Sequence, residues 1–281
     1  MDSVSILEMS DVTNDSFASS DVMFVEDDDN VTSTSTYTDK SQSVIDENIC
    51  ERLVTLQQRE RKHMVDPGYW TECQPLLSLQ NRQEVVSWMI ELCDRLELSH
   101  LTVSIAVNLL DRFLSKRKIL ASGLRAIAAG ALLIAAKLNE RAAYVPAIDF
   151  LSWSAGTEMN LVKASEGVIL QELRWDVNAL TAHAILPLIV ELNFPHVNQK
   201  DELQQLVSLF LEISLLDIRF LSFSPSIIAY SCLRTVNSVK FFNESVDSLA
   251  PDQQTQELVN LCSQLMQECF RAIFSEDALE R

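Results

Sequence analysis

Glycine is scarce, with five in 281 residues. So few exclude a Gly-rich phosphate loop and the many tight turns of a sheet protein. Basic charge is also in deficit: 22 Lys and Arg stand against 40 Asp and Glu, a formal net charge of −18. A chain this acidic is repelled by phosphate backbones, which argues against a nucleic-acid scaffold. Cys50, Cys73, Cys93, Cys232, Cys262 and Cys269 form no C-x-x-C pair, and His63, His100, His183 and His196 show no ligand spacing. No metal and no cofactor is therefore expected, and the cysteines read as reduced intracellular thiols. The N-terminus lacks the basic-then-apolar order of a signal peptide. The longest apolar run, Ile127 to Ala136, is shorter than the ~20 residues of a bilayer span. These absences lead to the expectation of a soluble intracellular chain. With no nucleophile beside a base, it is not expected to be an enzyme.

What is present points to helices. Apolar residues make up 47% of the chain, and Leu, Ala, Glu, Gln and Ile are abundant. The charge is uneven: residues 1–50 carry twelve acids and one base, Lys40. Residues 1–43, rich in Asp, Ser and Thr, show no sustained apolar period and read as a disordered acidic tail. From 44 to about Met64 the spacing predicts an amphipathic helix, stopped by Asp66-Pro67-Gly68.

Helical periods follow at about 81–97, 100–115, 121–138, 146–154 and 158–174. The third is apolar or small almost all round, as suits a central helix with close neighbours. Thr181 reads as the N-cap of a helix over 182–193. A long helix is expected at 200–221, another after Ser224-Pro225 to about Val239, and a last one at 253–274, with 241–252 a loop or short helix. LLDRFLS at 109–115 recurs as LLDIRFLS at 215–222. That spacing suits two copies of one five-helix unit. The expected fold is therefore all-α: an acidic tail (1–43), an N-terminal helix with a first helical fold (44–181), and a second fold (182–281).

Two charges stand out. Lys137 lies in the last turn of its predicted helix, beyond Leu133 and Ile134, where a cation suits the helix dipole. Glu166 is the one charge in the stripe Val162, Glu166, Ile169, Leu173, and a lone charge on an apolar face needs a partner. From spacing alone, Lys137 reads as a cap and Glu166 as a solvated helix charge.

Four blocks at 82–181 resemble a cyclin box: Arg82 with Trp88, AVNLLDRFLS at 106–115, ALLIAAKLNE at 131–140, and Glu166 followed by LQELRWDVNALT at 170–181. Residues 182–275 resemble the more variable second cyclin fold. The resemblance implies two tandem five-helix cyclin folds and a regulatory protein that binds and activates a cyclin-dependent kinase. It implies a kinase-binding face of Lys137, Glu166, Ile134, Leu138, Leu170, Trp175 and Val177. Ile134 and Leu170 read equally well as core. Arg82 and Asp111 are implied to form an internal ion pair. Further implied partners are kinase inhibitors and substrates, with neither nucleic acid nor membrane, and the implied location is nucleus and cytoplasm.

Many cyclins dock R-x-L substrates at an M-R-A-I-L patch. Here that stretch is Asn81 to Val85, with Glu84 in an apolar position. A carboxylate in an apolar groove is costly, which weakens docking at Glu84, Val85, Trp88, Glu91 and Arg125. The pattern Arg82-x-Glu84 with Trp88 is similar to plant D-type cyclins of the G1/S transition, as are SWMIELC at 87–93 and LDIRFLSFSPSIIAY at 216–230. The L-x-C-x-E motif of D-types is missing. A divergent or meiotic cyclin is the alternative, followed by a cyclin-fold transcription adaptor, which would show basic stripes.

Overall fold

The computed structural model describes residues 34–193, 200–240 and 252–277. Among them are eleven α-helices and no strand. Helix α1 (Thr34–Glu60) passes into a 3-10 turn (Arg61–His63), and the short α2 (Tyr69–Cys73) follows. The first fold is α3 (Leu79–Arg95), α4 (His100–Leu114), α5 (Ala121–Asn139), α6 (Ile148–Ala155) and α7 (Met159–Glu172). The second holds α8 (Ala182–Asn193), α9 (Lys200–Leu216), a 3-10 helix (Ile218–Ser222), α10 (Pro225–Lys240) and α11 (Gln253–Asp277). The readings of residues 1–33 and 241–251 lie outside the described residues.

Local chemistry sets the boundaries. Ser78 and Asn81 cap α3 reciprocally. Ser99 caps α4 through the Leu101 N–H. Gly156, at φ 63°, closes α6 in the left-handed conformation. Three expectations are corrected. The first helix begins at Thr34, not near 44. Asp66-Pro67-Gly68 starts a helix as well as stopping one, because the Asp66 carbonyl accepts from the Tyr69 N–H and its carboxylate from the Gly68 N–H. The long helix ends at Leu216, because the Asp217 side chain accepts from the Arg219 N–H and opens a 3-10 turn instead.

Helix α5 is the axis of the first fold. By length and apolarity it could cross a membrane, so the short-run expectation above understates it, but most of it is buried inside the protein. Its neighbours are α3, α4, α6 and α7. The first core gathers Val86, Met89, Leu92, Leu109, Leu110, Leu132 and Leu133. The second gathers Ile185, Phe210, Leu211, Leu233 and Cys262, and takes Ile49 and Leu53 from α1. Glu60, at the end of α1, is buried, and its carboxylate accepts the Ser226 N–H and hydroxyl, both at 2.9 Å. It thereby neutralises the positive end of α10 and fastens α1 to the second fold.

Candidate functional site

Lys137 and Glu166 lie on α5 and α7, which approach closely at Gly130. A Cβ there would stand 2.9 Å from the Ser165 Cβ and 3.0 Å from the Glu166 backbone nitrogen. Lys137 Nζ donates to Glu166 Oε1 at 2.5 Å, so each charge has the other as its partner. Leu138 and Trp175 are exposed, and Leu170 is partly buried against the core. Ile134, 3% exposed, and Val177 belong to the first core. The apolar surface among the expected kinase-binding residues therefore comes from Leu138, Trp175 and the outer part of Leu170.

Trp175 is 72% exposed, on a segment held under strain. Arg174 and Trp175 have φ of 53° and 60°, two adjacent non-glycine residues in the left-handed region. Each costs about 1–3 kcal/mol and persists only where surrounding contacts over-determine it. Those contacts are present. The Trp175 N–H donates to the Leu170 carbonyl at 2.9 Å. Arg112 donates to the Asp176 carbonyl at 2.8 Å. The Asp176 carboxylate meets Lys62 at 2.9 Å and His63 at 3.1 Å. Hydrogen bonding from Lys62 is the main reason the Asp176 carboxyl titrates below its usual range. Burial pulls His63 below its usual range.

Arg82 and Asp111 form the expected pair, with two bonds of 2.8 Å and exposures of 2% and 1%. Tyr69 donates to the same carboxylate at 2.7 Å. The guanidinium also reaches the carbonyls of Leu215 and Leu216, both at 3.1 Å, at the C-terminus of α9. The two copies of the sequence echo thus converge on one side chain: Asp111 from the first, Leu215 and Leu216 from the second.

The residues suggested for substrate docking divide by exposure. Val85 and Trp88 are buried, while Glu84, Glu91 and Arg125 are exposed. Arg125 lies over the Trp88 ring, 5.7 Å from its centroid. Trp88 donates to Ser154, and next to that serine Trp153 is 76% exposed. Asp94, His100 and Glu212 bring possible metal-ligand atoms within 4.8 Å of one another. They come from three helices, so the chain spacing concealed them. His100 Nδ1 lies 3.2 Å from Glu212, and that hydrogen bond raises the His100 pKa.

Sequence reasoning missed Glu60, Tyr69 and the clamp of Lys62, His63 and Arg112 on Asp176. Arg112 did leave a signal, as a cation in the apolar run of α4.

The residues from 51 to 178 match the family model "Cyclin, N-terminal domain", and 192–277 match "Cyclin, C-terminal domain". The "G2/mitotic-specific cyclin-2" of Medicago sativa is 30% identical over 72% of this chain and 61% of its own length. Its counterpart in Medicago sativa subsp. varia is matched over 46% of its length, so the chain spans only about half to three fifths of these relatives. The "G1/S-specific cyclin-D1" of Danio rerio is 22% identical over 78% of this chain and 75% of its own. A solved viral cyclin from herpesvirus saimiri shares the fold, with a TM-score of 0.65 at 24% identity over 79% of this chain and 99% of its own. With both cyclin domains matched across most of its length and folded as two helical units, the chain belongs to the cyclin family.

Proposed function

We propose that this chain is a regulatory subunit that binds a cyclin-dependent kinase through the Lys137–Glu166–Trp175 face and switches it on. The observation that carries this reading is the exposed Trp175 on a strained segment that follows α7, the helix that carries Glu166 of the salt bridge to Lys137. The core does not need that tryptophan, and strain kept at a surface is characteristic of binding sites. The chain activates by binding the active arrangement of the kinase better than the inactive one, and its effect is limited by that difference. As in cyclins generally, the face presses on the kinase αC helix so that its Glu reaches the catalytic Lys.

Two cell-cycle classes compete. The blocks at 87–93 and 216–230 support a D-type, G1/S role. The higher identity to mitotic cyclins, 30% against 22% for cyclin-D1, supports a G2/mitotic one. Action in nucleus and cytoplasm belongs to the same proposal, as does binding of inhibitors and substrates. The test is co-purification of the chain with a panel of cyclin-dependent kinases, with peptide phosphorylation scored in parallel. Binding with activation is expected, and the preferred kinase decides between the two classes. A folded protein that binds no kinase contradicts the proposal.

A further inference from the structure

Trp175 stands where glycine is the ordinary residue. Helix α7 ends at Glu172, and three N–H groups beyond it close its last carbonyls. Arg174 donates to Gln171 at 3.1 Å, Trp175 to Leu170 at 2.9 Å and Asp176 to Leu173 at 3.0 Å. A helix end of this kind turns through the left-handed region, which glycine enters freely and other residues enter at a cost. Here Arg174 and Trp175 both pass through it. The chain then returns to the first core at Val177. Asp176 is therefore the link between the exposed indole and the buried valine.

That link is gripped from two other elements. Lys62 Nζ lies 2.9 Å from Asp176 Oδ2, and His63 Nε2 lies 3.1 Å from Oδ1. A carboxylate only accepts, so His63 donates through Nε2. Arg112 of α4 donates to the Asp176 carbonyl at 2.8 Å and stands 3.9 Å from Oδ2. The gripping residues are themselves seated. His63 is buried, and its carbonyl accepts the Asn108 amide at 3.0 Å. The Arg112 side chain is 11% exposed. Glu60, just ahead of Lys62 in the chain, is fixed to Ser226. Charge-assisted hydrogen bonds are the strong ones, and here they converge on the residue that follows the strained pair.

We propose that Asp176 is a positioning residue for kinase binding. The grip of Lys62, His63 and Arg112 holds Trp175 in the left-handed conformation that displays its indole. The inference rests on the reading of Trp175 as a kinase contact. Without the grip, Arg174 and Trp175 relax to ordinary negative φ, and only the fraction of molecules that keeps the displayed form is ready to bind.

The test uses the full chain with 5-fluorotryptophan at its four tryptophans. Fluorine NMR is read without kinase, and kinase affinity is measured by calorimetry well below Tm. The resonance missing from Trp175→Gly is that of Trp175. In Asp176→Ala this resonance is expected to move while those of Trp70, Trp88 and Trp153 stay. Kinase affinity should fall by about tenfold or more, as the ready fraction falls. In a Trp175→Gly background the same substitution should change affinity by less than about twofold, because it acts through the indole. Should Asp176→Ala fail to fold, Lys62→Met, at a side chain 65% exposed, replaces it in every arm. An unmoved Trp175 resonance, or an equal loss of affinity in both backgrounds, overturns the proposal. Native affinity in Asp176→Ala, with Lys137→Glu still losing the kinase, overturns this inference alone. A native chain that binds no kinase overturns the proposed function with it.

Discussion

Trp175 is where the proposed binding role and the demands of folding can be separated. It is exposed, in a left-handed backbone conformation that a tryptophan adopts only at a cost. Trp175→Gly removes that cost and no core contact. The expected outcome is a melting temperature equal to or above the native one, with kinase affinity reduced by about 2 kcal/mol or more. Calorimetry on both proteins, alone and with kinase, checks this. A variant that loses stability and binding together would make Trp175 structural. Asp111 behaves oppositely. Asp111→Asn leaves the Arg82 guanidinium buried against a neutral amide and should cost about 3–5 kcal/mol, read from urea unfolding.

His183 gives a pH dependence of definite sign. Its pKa falls from 6.5 in the unfolded chain to about 3 in the folded one, through burial. Between those values the unfolded state binds the extra proton, so stability is full above about pH 6.5 and declines as pH falls. At pH 5 the loss amounts to about 2 kcal/mol. His100, raised by its Glu212 hydrogen bond, acts with the opposite sign. Comparing native protein with His183→Phe at pH 7.5 and 5 isolates the effect: the native protein should lose more stability on acidification.

At the scale of elements, the approach of α5 to α7 sets the Lys137–Glu166 geometry. Gly130→Val would drive a side chain into Ser165 and the Glu166 backbone. Overpacking of this kind costs about 1–3 kcal/mol, and the separated helices should bind kinase less well than their loss of stability alone explains. Binding measured well below Tm tests that. The helices of both folds were legible in the sequence because their apolar periods are long and Thr181 and Ser224-Pro225 mark two of the starts. Helix α2 was not, since five residues are too few to show a period. The break at Asp217 was hidden because LLDIRFLS keeps a helical apolar pattern across it.

The candidate site was legible in part. Lys137 and Glu166 could be paired only through family resemblance, as they lie far apart in the chain on different helices. Nothing local marks Ile134 as buried and Leu138 as exposed, since both are apolar residues on one helix. The positive φ at Trp175 left no trace either, because no glycine marks it. That conformation arises from tertiary contacts, with Arg112, Lys62 and His63 holding Asp176 from other elements.

Over the described residues, the two folds are joined by apolar packing of Leu215, Leu216, Ile218 and Leu221 against the first core, and by polar anchors. Arg82 reaches from α3 to the end of α9, and Glu60 carries α1 to α10. The proposed kinase-binding face lies on the first fold, around Lys137, Glu166 and Trp175. Its central claim is tested most directly by titrating kinase into native protein and into Lys137→Glu by calorimetry. The Lys137 side chain is half-exposed, so the variant should stay folded while it places two carboxylates together on α5 and α7. The predicted result is a loss of about 2–5 kcal/mol in binding, with kinase activation lost alongside. Native affinity in a folded Lys137→Glu protein would contradict it and place the kinase elsewhere on the surface.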